Sequence, residues 1–359
     1  MNRLLKGRES IVYKNLGKLY HEAPAVPLRH NDKIVIFSDI HMGDGGSRDD
    51  FLHNSSIFLY VLRHYYLKQG FKLVLNGDIE ELQRFPRDII ETRWAEFYRL
   101  LEAFRRKGPV YRIIGNHDYS LFLGPEDSRQ EPLYSALKFL YGDETIFVFH
   151  GHQASVFPEC FYRWAGFFLK YVANPLGIKN YSVAYDNRKT YKVEKRVYEF
   201  SKSRRAVSVI GHTHRPLFES LSKIDTLKFK IERMCREYTG AEKKKKYDIR
   251  RAITRYRGEL DKLYRKKNRA EFTSSVYNEQ VVVPLLFNSG CVIGKRGITA
   301  LEVSDGQVRL VHWFDRTVSD KYLHYNGDRP RRLGKSPYFR KIFKGDAIDY
   351  IFARVKLLT

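Results

Sequence analysis

Five short polar loops, each at the end of an apolar run, constrain this chain more than any other feature. They are Asp39-Ile40-His41, Gly77-Asp78, Gly115-Asn116-His117-Asp118, His150-Gly151-His152 and Gly211-His212-Thr213-His214. The runs before them, residues 33–38, 71–75, 110–114, 145–149 and 206–210, read as short buried strands. Between them, Phe51, Phe58, Val61, Leu62 and Tyr65 recur at helical spacing up to Gly70. Ile90, Trp94, Phe97, Leu101 and Phe104 do the same up to Gly108-Pro109. Strand, polar loop and helix alternate, which predicts an α/β architecture with its chemistry at the carboxyl ends of strands. Residues 281–287, 297–303 and 307–313 read as a closing β-meander.

With 359 residues, 43% hydrophobic and 14% aromatic, the chain can bury a sizeable core, which excludes wholesale disorder. Cys160, Cys235 and Cys291 are far apart and form no CxxC pair, so a reducing compartment is expected rather than a disulfide scaffold. No secretory signal is visible at the N-terminus, and no run reaches the ~18 apolar residues of a spanning helix. The expected location is the cytoplasm, with peripheral attachment to the inner face of the membrane as an option.

The net charge of +24 is unevenly placed. Residues 1–33 carry +4, 153–206 carry +7, 221–270 carry +11 and 317–359 carry +6, leaving the rest slightly acidic at −4. This divides the chain into a basic N-terminal extension (1–32), a domain (33–316) with two insertions, and a basic tail (317–359). The insertion 153–206 is aromatic and reads as a helical lid, with Phe157, Phe161, Trp164, Phe167, Phe168 and Tyr171 crowded together. In 221–270, Ile224, Leu227, Ile231, Met234 and Tyr238 form one narrow apolar seam. Ile249, Ile253, Tyr256, Leu260 and Leu263 form another, across a turn at Gly240, which predicts a basic antiparallel helical hairpin. Positive charge far above the magnitude of ~2–8 that solubility asks of a small domain implies an anionic partner. That partner is a phosphorylated substrate or an acidic membrane surface, with nucleic acid as the alternative, and nothing marks a protein partner.

The five loops, in their order, resemble the DxH, GD, GNH(D/E), H and GHxH pattern of the calcineurin-like metallophosphoesterase superfamily. The resemblance spans about 33–152, 207–219 and 281–316. It implies a two-sheet β-sandwich flanked by helices, here with the lid and hairpin insertions, and a dinuclear metal site. One metal would be held by Asp39, His41, Asp78 and His214, and the other by Asp78, Asn116, His150 and His212, with Asp78 bridging. His117 would be a general acid or transition-state stabiliser that Asp118 orients, while His152 stays open between a supporting hydrogen bond, substrate contact and no role at all. The chemistry fits these residue types. Two divalent ions ~3.5–4 Å apart repel, and a shared carboxylate offsets part of that repulsion while the pair converts a bridging water to hydroxide near neutral pH. Ligands without thiolate favour Mn, with Fe or Zn as alternatives.

The lid is similar to that of UDP-2,3-diacylglucosamine pyrophosphohydrolases, with Arg163, Lys170 and Arg188 near the anion and Trp164 near the acyl chains. Three functions follow as expectations. The first is a phosphoesterase or pyrophosphohydrolase acting on a lipid- or nucleotide-linked substrate such as a UDP-sugar lipid. The second is a nuclease or nucleic-acid phosphatase, and the third a non-catalytic binding scaffold.

Overall fold

The computed structural model describes residues 2–123, 132–155, 187–218, 241–266, 283–323 and 329–359, with single positions between 227 and 239. In chain order come α1 (Asn2–Glu22), β1 (Ala25–Pro27), β2 (Ile34–Phe37), α2 (Leu52–Val61), β3 (Lys72–Asn76), α3 (Arg87–Arg93), α4 (Ala95–Arg105) and β4 (Val110–Ile113). Next are β5 (Leu133–Tyr134), β6 (Ala136–Tyr141), β7 (Glu144–Phe149), α5 (Asn187–Arg204), β8 (Val207–Ile210) and α6 (Lys243–Lys266). The chain closes with β9 (Leu286–Asn288), β10 (Ile298–Ser304), β11 (Gln307–Asp315), β12 (Arg331–Arg332), β13 (Tyr338–Ala347) and α7 (Ile348–Leu358).

Two sheets form the sandwich that the sequence predicts. One runs β1-β6-β7-β8-β9 and the other β12-β13-β11-β10-β2-β3-β4-β5. The uninterrupted apolar runs of β2 and β3 are explained by burial on both faces. Val35, Phe37, Leu73 and Leu75 pack with Phe58, Leu62, Phe97 and Leu101 of the covering helices. The alternate residues Ile34 and Ile36 turn to the other sheet, where with Phe139, Val207 and Phe287 they line a small apolar cavity of about 20 Å³. Because β2, β3 and β4 pair in parallel, the loops after them leave from one edge. β7 and β8 are likewise parallel, which brings the two histidine loops to a common edge of the second sheet.

The structure departs from the sequence reading in four places. The helix expected across Ile90–Phe104 breaks at Trp94 (φ −107°, ψ 31°) into α3 and α4. The indole Nε1–H there donates to the Gly43 carbonyl at 3.0 Å and to Asp49 at 3.2 Å, and these bonds to a distant loop outweigh helical continuity. Among the described residues of the segment 281–287, which begin at 283, strand starts at Leu286, and β9 runs one residue further than expected, to Asn288.

The other two departures concern the ends. Within the N-terminal extension, Val12 and Leu16 of α1 are buried and β1 pairs with β6. The tail is no appendage either: β13 pairs with β11 from Gln307–Ala347 to Asp315–Tyr338, and α7 buries Ile348, Ile351, Phe352 and Val355. Arg340 of β13 pairs with Glu302, which is 1% exposed, and Tyr66 donates to the same carboxylate at 2.8 Å. Removing the tail would leave a buried carboxylate without its cation. A charge count sees only the solvent-facing residues of such elements, so both ends looked like additions.

Residues Met1–Phe218 with Pro284–Thr359 make one compact unit and Glu219–Val283 another. In the second unit, α6 buries Ile249, Ala252 and Tyr256 and exposes Lys245, Arg250, Arg251, Arg255 and Arg257. Of the first seam of the expected hairpin, Leu227, Ile231, Met234 and Tyr238 are described, all of them helical, with Leu227 buried and the other three half-buried, while Ile224 lies outside the described residues. Among the described residues, no helix is long and apolar enough to cross a membrane.

Candidate metal centre

The five polar loops converge through backbone hydrogen bonds that each motif supplies. Asp39 and Ile40 donate their N–H groups to the carbonyls of Gly77 and Asp78, at 3.1 and 2.9 Å. Gly211 N–H donates to the His150 carbonyl at 2.9 Å. The N–H of His212 meets both carboxylate oxygens of Asp39, at 3.1 and 3.0 Å, and the N–H of His117 meets Asp78 Oδ1 at 2.8 Å. The glycine before Asn116 is required by this crowding, because a Cβ at Gly115 would collide with the Asp78 carboxylate. Asp39, His41, Asp78, His212 and His214 all have left-handed backbones, with φ between 51° and 61°. Non-glycine residues held there cost on the order of 1 kcal/mol each and cluster at functional sites.

Side chains from different loops meet as a result. Asp39, His41 and His214 offer ligand atoms that all lie within 4.8 Å of one another, and so do Asp78, His150 and His212. A third such group, His41, Asp78 and His117, overlaps both. His41 Nε2 stands 3.2 Å from His214 Nε2, two ring nitrogens facing one point. His214 Nε2 is 3.1 Å from Asp39 Oδ1, and His150 Nε2 is 3.1 Å from Asp78 Oδ2. Among the described residues, the buried atoms Asn116 Oδ1 and His212 Nε2 have no hydrogen-bond partner.

Carboxylates and imidazoles in the pocket shift one another's protonation. Burial alone would raise Asp78, but His150 and His117 beside it hold its carboxyl well below the usual range. Burial likewise opposes a charged His150, yet Asp78 and Asp39 lift it to about 9. His212, by contrast, is pushed down to about 3 by burial and by the neighbouring His150, so its ring is neutral. A pocket of buried carboxylates, protonated imidazoles and lone buried acceptors is one in which divalent cations can displace protons. Nitrogen and oxygen donors without thiolate suit such ions, and the residues present fit a metal pair.

The predicted acid group is arranged differently from expectation. His117 is near the metal pocket, with its side chain 13% exposed and Nε2 4.0 Å from Asp78 Oδ2. Asp118 does not reach its ring. The Asp118 carboxylate is fully buried and accepts the backbone N–H groups of Gly115 at 2.6 Å and Ile79 at 2.9 Å, which ties two metal loops together. Burial, with Asp78 and Glu80 nearby, pushes Asp118 up to about 6. Glu81, which the sequence did not single out, instead accepts from His117 Nδ1 at 2.8 Å and from His41 Nδ1 at 3.0 Å.

Asn288 was also missed: its amide donates to the Gly211 carbonyl at 2.9 Å and to Thr213 Oγ1 at 2.8 Å, fixing the GHTH loop from β9. Its signal was available, because Asn288-Ser289-Gly290 is another polar loop after an apolar run. His152 is buried in the same pocket, its ring 5.5 Å from that of His150. Arg163, Trp164 and Lys170 lie outside the described residues, and only the backbone of Arg188 is described, in the first turn of α5.

The sequence profile of the calcineurin-like phosphoesterase family matches residues 32–222. No curated protein matches the chain. Among solved structures, one similar chain is a conserved protein from Streptococcus pneumoniae described as a predicted phosphoesterase. It shares 11% identity at a TM-score of 0.30, with 79% of this chain and 90% of that one covered. Another is a single mutant of Vps29 from Entamoeba histolytica, with 10% identity, a TM-score of 0.33, and 79% and 92% covered. The family match spans more than half of the chain and takes in all five loops that meet in the pocket, so the chain belongs to the calcineurin-like phosphoesterase family, as a metal-dependent phosphoesterase.

Proposed function

We propose that this enzyme cleaves a phosphoester or pyrophosphate bond in a lipid- or nucleotide-linked substrate of the UDP-sugar lipid kind, at an anionic membrane surface. The observation that supports this most is how the lid insertion returns to the metal pocket. Glu194 of α5, 1% exposed, accepts from Thr213 Oγ1 at 3.0 Å and from Arg215 Nε at 3.1 Å, on either side of His214. Arg196 of the same helix donates to the Ala154 carbonyl at 3.1 Å, just after the His150 loop. An aromatic, basic insertion anchored at both histidine loops suits a substrate with an apolar part and a phosphate part.

In this reading Asp39, His41, Asp78 and His214 hold one divalent ion, and Asp78, Asn116, His150 and His212 the other, with manganese as the physiological metal. When bound, the ions supply Lewis-acid activation of water and neutralise phosphoryl oxygens. Asp78 keeps the two halves of the pocket in register through the His117 N–H and the His150 ring. His117, on the more open side with His214, holds a proton at Nε2 for the leaving group. Arg163, Lys170 and Arg188 bind phosphate, and Trp164 packs on the acyl chains. Trp164→Ala should therefore raise KM for a diacylated UDP-sugar by at least ~10-fold, the scale of a lost buried aromatic contact, and leave KM for a small chromogenic ester near wild type. Equal shifts for both substrates would remove the lid from substrate binding.

The second unit is assigned to membrane docking. Its exposed Arg250, Arg251, Arg255 and Arg257 favour an anionic surface, each engaged basic residue contributing ~1 kcal/mol near acidic lipid. Deleting 222–268 should spare turnover of a small ester and abolish binding to acidic liposomes. Retained liposome binding would refute this, and preference of the intact chain for single-stranded DNA at physiological salt would favour the nuclease reading.

A further inference from the structure

Helix α1 lies before the residues that the family profile matches. It runs parallel to α5, the helix that ends the lid insertion. Tyr13 lies beside Lys195 and Glu199, and further along Tyr20 packs on Phe200 with ring centroids 6.0 Å apart. Between the two helices is an open groove of about 610 Å³, lined by Tyr13, Lys195, Glu199, Phe200, Ser203 and Arg204. That volume falls in the range of roughly 300–1,000 Å³ typical of small-molecule sites. Phe200, 3% exposed, forms its floor.

The charged groups of this groove are not used by the fold. The Arg204 guanidinium lies over two rings, its Cζ 5.8 Å from the Tyr20 centroid and 5.7 Å from that of Phe200. It fits there because residue 17 is glycine, since a Cβ at Gly17 would stand 3.3 Å from Arg204 Nη2. Glycine inside a helix is unfavourable, and here it makes room for the guanidinium. Stacking covers the face of a guanidinium and leaves its edge N–H groups for an anion. Among the described residues, no carboxylate pairs with Arg204 or Lys195, and no cation pairs with Glu199. Lys195 and Arg204 are nine residues apart on α5, about 13 Å of helical rise, with Glu199 between them.

We propose that this groove is a binding site separate from the metal centre, which takes a nucleoside monophosphate and restrains hydrolysis when occupied. The phosphate meets the guanidinium edge of Arg204 in charge-assisted hydrogen bonds. The Glu199 carboxylate, which only accepts, takes the ribose hydroxyls. The base lies against Tyr13, with the Lys195 ammonium beside its carbonyl oxygens. Hydrolysis of the pyrophosphate in a UDP-sugar releases a ligand of this class, so its assignment as a product rests on the substrate reading above. The path to the metal centre is short. α1 packs against residues His152–Ala154, and Arg196 of α5 holds the Ala154 carbonyl at 3.1 Å. A ligand that bridges both helices therefore bears on the loop that carries His150.

The test uses the full chain with Arg204→Ala, Lys195→Ala and Glu199→Gln, none of which touches the metal centre. UMP, uridine, inorganic phosphate and a short oligouridylate are titrated by calorimetry into metal-free Asp78→Asn protein, alone and combined with each groove variant. UMP should bind at least ~10-fold more tightly than uridine or phosphate, and Arg204→Ala should weaken it roughly 10–100-fold, as the loss of a charged hydrogen-bond partner does. Should Arg204→Ala fail to fold, Lys195→Ala and Glu199→Gln are judged by the same titration and should each weaken UMP by roughly 3–10-fold. In the Mn²⁺-loaded enzyme, UMP should lower kcat on a chromogenic phosphodiester, and Arg204→Ala should relieve that inhibition with its basal kcat unchanged. UMP affinity that survives all three substitutions, or inhibition confined to KM, would overturn the proposal. So would an oligouridylate that binds more tightly than UMP and is weakened by the same substitutions, because the groove would then belong to nucleic acid. A chain that binds UMP in the groove but releases none from a diacylated UDP-sugar would instead bring down the substrate reading and leave the site standing.

Discussion

Asp78→Ala is expected to reduce phosphodiester hydrolysis to background and to empty the centre of metal. Asp78 is 1% exposed, with Oδ2 3.1 Å from His150 Nε2 and 3.9 Å from His41 Nε2, so it stands between the two groups of ligand-type residues. Its other oxygen holds the His117 N–H. Removing it takes away a negative charge that lies between both halves of the pocket, where a shared carboxylate would offset the repulsion of two dications brought close together. The backbone at Asp78 has φ 54°, where alanine is strained and asparagine is tolerated. Asp78→Asn is therefore the companion variant: it keeps the backbone and the bond to His117 N–H but lacks the charge. Metal content by elemental analysis should fall from about two ions per chain in both variants, while circular dichroism stays native. Full activity in either would remove Asp78 from the centre.

For His117→Ala the expected result is a selective loss of rate. The ring is in contact with the pocket but anchored by Glu81, and its removal takes away a proton donor rather than a group that the metal needs. Burial alone would depress its imidazolium, yet the carboxylates of Glu81 and Asp78 lift it to about 10, so the ring carries its proton. A drop in kcat of roughly 10²–10⁴-fold is the usual range for a lost acid–base group. Metal content should not change. Metal lost in parallel with rate would place His117 among the ligands, a reading that its grouping with His41 and Asp78 makes worth measuring.

The case of His117 also marks where local sequence stops being informative. Asp118 lies next to it in the chain and looked like its partner, but a residue adjacent along a tight loop points away. The Asp118 carboxylate satisfies N–H groups that the loop leaves exposed, as buried donors require. Glu81 is 36 positions from His117 in sequence and meets it only because β3 and β4 are neighbouring parallel strands. In the sequence it is one more acidic residue after Gly77-Asp78, indistinguishable from Glu80, which forms a structural ion pair. The break at Trp94 has the same origin: helical spacing was intact, and a long-range indole bond to the Gly43 loop decided the outcome.

What the sequence determined by itself were the features encoded over short distances. Apolar runs fixed β2, β3, β4, β7 and β8, and the polar residues following each run marked the loops that carry Asp39, His41, Asp78, Asn116, His117, His150, His212 and His214. Parallel strands place such loops on one edge whatever the details of packing, which is why a one-dimensional pattern was enough to find the pocket. Only the tertiary structure decided the rest. It made the basic ends into α1, β13 and α7 of the main unit, because burying Ile348, Ile351 and Phe352 and pairing Arg340 with Glu302 depend on partners far away in the chain. It also chose Glu81 over Asp118 and brought Asn288 under the GHTH loop, since a hydrogen bond between loops requires both to be in place before either residue can be recognised.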